Sequence, residues 1–225
     1  MIAAASAIAL VLLICVGGWL WWLPSFRPHL RSGKSLGIDV SAHQGRIRWD
    51  KVAGDGISFA YIKATEGGDF TDTRFDENWK GARAAGVAVG AYHFFTLCTT
   101  GEAQAEQFLQ VVPDDSDALP PAVDLELAGN CGSRPALPFV RTQVTLFLER
   151  VERAVGKRAI LYVGHDFAET YPLSTFPPRY LWKRRILRRP SNDTWLVWQV
   201  HGYARVSGIG GRVDLDVMRS ASTHG

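Results

Sequence analysis

The chain has 225 residues, 47% of them hydrophobic, enough for one barrel-sized domain or two small ones with a real core. Its net charge of +3 comes from residues 1–35, which hold three of the 25 Lys and Arg and none of the 22 Asp and Glu. The remainder is balanced at 22 against 22, so global basicity gives no reason to expect a nucleic-acid partner.

From Ile2 to Leu23 no side chain is charged. These 22 residues would make a helix of roughly 33 Å, long enough to span a bilayer. Trp19, Trp21 and Trp22 stand at its end, as an interfacial aromatic belt does. A cleavable signal is the rival reading, but it wants a charged start, a shorter apolar core and a small-residue cleavage site. The sequence therefore predicts an N-terminal transmembrane anchor and linker over 1–35 and a single domain over 36–225. Residues 32–35 read as the linker.

The domain opens with a strand over 36–40 that ends near Asp39. A short helix follows over 49–53, and then a strand over 57–63 rich in β-branched and aromatic residues. Residues 74–85 carry Phe75, Trp79, Ala82 and Ala85 at helical spacing, closed by Gly86. A third strand covers 87–95. A helix starting at Thr100 or Gly101 runs to 112, where Pro113 stops it. Strand four covers 122–127, a long helix 139–155, strand five 159–163 and one or two helical turns 165–171. Beyond that the pattern thins to three short strands, over 179–182, 195–200 and 213–217, without full helices between them.

Strict alternation through five strands predicts a parallel α/β sheet. Eight strands and about five helices in roughly 190 residues fit a TIM-like, incomplete β/α barrel. An open doubly wound sheet is second. No internal repeat, low-complexity segment or second domain is visible.

Residues 120–127 read PPAVDLEL, with Asp124 and Glu126 alternating with Val123, Leu125 and Leu127. In a strand, residues two apart share a face, with α-carbons about 7 Å apart. Like charges so placed push their pKa values apart, leaving one protonated and one ionised. That is equipment for splitting an acetal; the plain alternative is a strand end with solvated acids. Barrel chemistry sits at the C-terminal strand ends. Asp39, Asp124 and Glu126, and Asp214 with Asp216, share that address. Tyr92 and His93, Tyr162, and Trp198 with Gln199 supply aromatic and polar walls. Such a ring suits a pyranose polymer. Cys98 and Cys131 each follow a strand, so a barrel would bring both to one rim, as a disulfide in an exported domain or as two free thiols.

Three stretches resemble the Chalaropsis-type lysozymes, the glycoside hydrolase family 25 muramidases. They are GIDVSAHQG (37–45), AYIKATEGGDFTDTRFDENW (60–79), and the pair GAYHFF (90–95) and VDLEL (123–127). Weaker echoes are LYVG at 161, LW at 181, VWQV at 197 and GGRVDLD at 210, so the resemblance runs from about 36 to 218. It implies a β/α barrel that hydrolyses the β-1,4 bond between N-acetylmuramic acid and N-acetylglucosamine in peptidoglycan. Residue by residue it makes Glu126 the general acid and Asp124 its neighbour. Asp39 and Asp214 become further active-site carboxylates, and Tyr92 and Tyr162 rim aromatics. Beside these, Trp182 is taken as a substrate contact, Trp198 reads as either a core ring or a sugar platform, and Glu66 belongs to a chiefly structural motif that places it near the groove as a candidate contact. Lys63 reads as one half of an ion pair in the barrel interior. Two departures stand out: the family usually follows LW with a small residue and an aromatic, where this chain has LWKRRILRR (181–189), and it often has VDLN where this chain has VDLD.

The implied partner is a peptidoglycan strand, met by a monomer without metal or other cofactor. The implied location is outside the cytoplasm, anchored in the inner membrane, or secreted if the segment is cleaved. Arg27, Arg31 and Lys34 after the span would by the positive-inside rule keep the domain inside; the substrate requires the opposite, and that orientation is adopted. His93 reads equally as core or site, and His43 as a turn residue. The basic run 183–189 reads as a solvated face, a lipid contact or a contact to acidic peptidoglycan stems. Two other classes remain: a glycan-binding module without activity, and a zinc hydrolase using His43, His93 and Asp124. The second lacks HxH or HxxxH spacing.

Overall fold

The computed structural model describes residues 12–19, 21–191 and 194–219. Among these, nine strands form one sheet: β1 (Lys34–Val40), β2 (Phe59–Glu66), β3 (Phe70–Thr71), β4 (Ala88–Phe94), β5 (Ala122–Leu125), β6 (Ile160–Val163), β7 (Tyr180–Arg184), β8 (Trp195–Ala204) and β9 (Val213–Arg219). The helices are α1 (Trp49–Gly54), α2 (Phe75–Ala84), α3 (Gly101–Val111), α4 (Leu137–Val155) and α5 (His165–Thr170).

Eight strands close a ring. β1, β2, β4, β5, β6, β7 and β8 pair in parallel, in that order. β9 then joins β8 to β1 and runs antiparallel to both. The eight expected strands are these eight. The extra one, β3, is two residues folded back on the end of β2, too short to leave a periodic signal. The barrel is complete in strands but not in helices: among the described residues no α-helix connects β7 to β8 or β8 to β9.

Strand alternation sorts the side chains into two layers. Phe59, Tyr61, Ala122, Ile160, Tyr162, Trp182 and Val197 point inward and fill the barrel. Ile38, Ala60, Ile62, Val123, Leu125, Leu161, Val200, Leu215 and Val217 point outward into the larger core, shared with Trp79, Phe108, Val144, Phe147 and Leu148 of α2, α3 and α4. Together these layers fix which residues of each strand reach the cleft at the mouth.

The wall lacking helices is covered differently. A 3₁₀ turn at Leu23–Ser25 and the residues after it lie along the outside of β8. The Arg205 amide donates to Pro24 O at 2.9 Å, and the Arg27 guanidinium donates to Arg205 O at 2.7 Å. Trp19, Trp22, Phe26 and His201 stack in series at 5.3, 4.9 and 6.1 Å between ring centres. Phe26 and Leu30 pack on the outer core, and β1 begins at Lys34, inside the stretch expected to be linker. The apolar run 2–23 lies in large part outside the described residues. Residues 12–19 and 21–22 are helical, and among the described residues no helix is long and apolar enough to cross a membrane.

Candidate active site

A cleft of about 420 Å³ opens at the C-terminal end of the parallel strands. Asp39, Asp124, Glu126 and Asp214 all line it, with Tyr92, Tyr162 and Trp182. The four acids and three of the aromatic residues expected from sequence are therefore brought together. Asp39 and Asp214 sit opposite each other in the β1–β9 register. Asp124 is paired with Phe94 on one side and Tyr162 on the other.

Two glycines make room for the acids. A Cβ on Gly164 would lie 3.1 Å from Glu126 Cγ and 2.8 Å from Asp166 Oδ1. A Cβ on Gly202 would lie 2.8 Å from Asp214 Oδ1. The loop carrying Glu126 is tied down from both sides. Asn130 donates from Nδ2 to Glu126 O and Phe95 O at 2.9 and 2.8 Å, and its Oδ1 accepts from Leu97 N at 2.9 Å. Next to it, Cys98 and Cys131 are joined as a disulfide. Asp166 Oδ2 accepts from Ala128 N at 3.0 Å.

Burial is the largest influence on every carboxyl here. It pushes Glu126 up, aided by the charge of Asp166 and opposed by a hydrogen bond with Tyr162 and by Arg184. Asp124 is held well above the usual carboxylate range, by burial first and then by Glu126 and Asp39. Its Oδ1 is buried with no protein hydrogen-bond partner among the described residues. Asp214 is pushed up to about 6 by burial, with Arg184 pulling the other way. Asp39 also rises, from burial and then from Asp214. The cleft thus holds protons that solvated acids would have released.

Beneath the cleft lies Asp216, 0% exposed. Trp182 Nε1 donates to its Oδ1 at 2.9 Å. Its Oδ2 is buried without a hydrogen-bond partner among the described residues, and burial, followed by the charges of Asp39 and Asp214, pushes its carboxyl well above the usual range. Asp39 Oδ2 accepts from Gln199 Nε2 at 3.1 Å, and Gln199 Oε1 accepts from Tyr162 at 3.3 Å. Gln199 thus links Tyr162 to Asp39 beneath the cleft.

A family model described as glycosyl hydrolases family 25 matches residues 38–211. The chain belongs to that family. Among relatives of family 25, it is 36% identical over 202 residues to an uncharacterized protein, YegX, of Escherichia coli O157:H7, covering 86% of this chain and 73% of the relative. It is 33% identical over 192 residues to lysozyme M1 of Streptomyces globisporus, covering 79% of this chain and 65% of that one. A family 25 glycosyl hydrolase from Bacillus anthracis superposes with a TM-score of 0.75 at 35% identity, covering 85% of this chain and 91% of that one.

The remaining family 25 motif residues divide. Lys63 pairs with Glu66 at 2.6 Å, as expected, and lies over the rings of Phe94 and Phe70. Glu66 is thereby engaged and does not line the cleft, a correction to its expected substrate contact; it acts on Asp124 only through its charge. Trp198 is a second correction. Because Gln199 points into the barrel, Trp198 beside it points out, 5% exposed, with Nε1 donating to Arg185 O at 2.7 Å. His93 points outward from β4 for the same reason. It bonds Thr65 and Gln104, stacks on Phe147, and is pushed down to about 4 by burial. His43 bonds Ser41 Oγ in a 3₁₀ turn and lines a hollow with Asp39 and Asp214. The histidines and Asp124 therefore do not converge as a zinc site needs.

Two cleft residues were not singled out from sequence. Arg184, read only as part of the basic run 183–189, lies two after Trp182 and shares its inward direction. Tyr203, 57% exposed, lines the cleft because bulges carry β8 four residues beyond its expected end.

Proposed function

We propose that this domain is a lysozyme that cleaves the β-1,4 bond between N-acetylmuramic acid and N-acetylglucosamine, with Glu126 as general acid. The observation carrying this reading is one cleft, at the mouth of a family 25 barrel, lined by Glu126, Asp124, Asp39 and Asp214. Glu126 lines the cleft, and burial, aided by the Asp166 charge, raises its carboxyl above the ordinary glutamate range, which favours the protonated form that a general acid needs. Asp214, pushed to about 6, is ionised near neutral pH and stabilises the oxocarbenium-like charge. Asp124 lines the same cleft beneath Glu126, held well above the usual carboxylate range by burial and then by the charges of Glu126 and Asp39. Tyr92, Tyr162, Trp182 and Tyr203 supply ring faces for the sugars.

The domain acts outside the cytoplasm as a monomer, held at the membrane by the apolar run 2–23. The Cys98–Cys131 bond supports this location, since such bonds persist in oxidising compartments. Mass spectrometry of purified peptidoglycan after digestion tests the reaction. New muramic acid reducing ends are expected with the wild type and none with Glu126→Gln. Reducing ends on N-acetylglucosamine, or none at all, would overturn it. Membrane fractionation of cells making the full chain, with protease added outside, tests the location.

A further inference from the structure

The cleft is crowded with acids, yet the strand it is proposed to bind is itself anionic, through carboxylates on the muramic residue's substituents. One cation answers them. Arg184 ends β7, is exposed, and lines both the main cleft and the adjoining hollow of about 520 Å³. Glu126 and Tyr162 are the other residues common to both spaces, so Arg184 stands where a substituent leaving the cleft beside Glu126 would pass.

The other charged groups of that hollow are already engaged. Asp166 accepts from Ala128 N and Phe167 N at 3.0 and 2.8 Å. His165 sits 3.4 Å from Glu169. Among the described residues Arg184 forms no salt bridge, although its field reaches Glu126 and Asp214. A planar guanidinium with unused donors is built for a carboxylate, which it grips through two parallel hydrogen bonds. The position also falls in the run 183–189, where this chain departs from the family's usual text.

We propose that Arg184 is a specificity-determining residue that binds a carboxylate carried by the muramic residue, either its own lactyl group or the peptide attached there, in the hollow beside Glu126. This rests on the muramidase reading and names a substrate feature within it. Arg184 then supplies the one cationic partner along the cleft for such a carboxylate.

The test uses four soluble strands of alternating N-acetylglucosamine and N-acetylmuramic acid: one with a free lactyl carboxylate, one with the lactyl carboxamide, one bearing a peptide with free carboxylates, and one with that peptide amidated. kcat/KM is measured for the full chain and for Arg184→Ala and Arg184→Lys. The wild type is expected to prefer one charged strand over its amide by about tenfold, as charge-assisted hydrogen bonds do. The first pair reports the lactyl source and the second the peptide source. Arg184→Ala brings the ratio to about one, and Arg184→Lys keeps part of it. Binding of the same strands to Glu126→Gln, with and without Arg184→Ala, reads the ratio without turnover. Ratios near one in the wild type, or a preference that survives Arg184→Ala, would overturn the proposal while leaving the muramidase reading intact. Failure of the wild type to cleave any strand would remove both.

Discussion

Two acid pairs, each spaced by a single residue, meet at the mouth of the barrel from strands that run in opposite directions. On β5 the chain climbs toward the mouth, so Asp124 lies deep and Glu126, just past the strand, lies at the surface. On β9 the chain descends, so Asp214 lies at the surface and Asp216 is fully buried. The same spacing therefore gives a shallower and a deeper acid on each side, in reversed order, with Asp216 alone fully buried. Burial raises both shallower members and Arg184 lowers both, but Asp166 adds its charge only at Glu126.

Glu126→Gln breaks this division most severely. It removes the proton while preserving shape, and kcat on cell walls should fall about a thousandfold. Turnover at the wild-type rate would sink the assignment of the acid. Asp214→Asn should cost roughly a hundredfold. In the wild type, activity should decline as pH falls through about 6, where Asp214 takes up a proton. Asp214→Asn should lose that transition; a profile of unchanged shape would contradict this reading.

The alternation of acids and apolar residues at 123–127 was legible, because a strand's period of two is the strongest short-range signal a sequence carries. The eight ring strands were legible for the same reason. The direction of β9 was not. Only eight residues separate it from β8, and nothing in 205–212 distinguishes a hairpin-like return from a short crossover. Yet that reversal alone brings Asp214, at the start of its strand, to the mouth. Parity was readable but not used: naming Trp198 together with Gln199 at the end of β8 overlooks that neighbours in a strand face opposite ways, so only Gln199 can point inward. Tyr203 was hidden by bulges, whose extra residues break the period that locates a strand's end.

The deeper members separate structure from chemistry. Asp216→Asn keeps an acceptor for Trp182 and a donor for Asp39, so kcat should change by no more than about threefold. Its effect should appear in stability. Burial raises the Asp216 carboxyl, so the folded state keeps a proton that the unfolded chain releases once pH passes the ordinary aspartate range. Stability contributed this way is present at low pH and is lost as pH rises toward the folded value. The melting temperature of the variant relative to wild type should therefore increase from pH 4 to pH 8. Parallel curves in calorimetry would refute the retained proton. The smallest effect belongs to the tryptophans. Trp182→Phe should raise KM several-fold, while Trp198→Phe should leave KM within about twofold and lower only the melting temperature. Equal KM values for the two variants would mean that the inward and outward faces of β7 and β8 have been exchanged.

The segment from Pro24 to Leu30 splints the barrel along its outside. It first touches the wall at Arg205, two residues past Tyr203, and must then travel down to the opposite end before it can enter β1. The segment is therefore tied to β8 itself, through the Phe26–His201 ring contact, and to Arg205 just past its end, by two hydrogen bonds, so the residues ahead of β1 brace the wall that lacks helices.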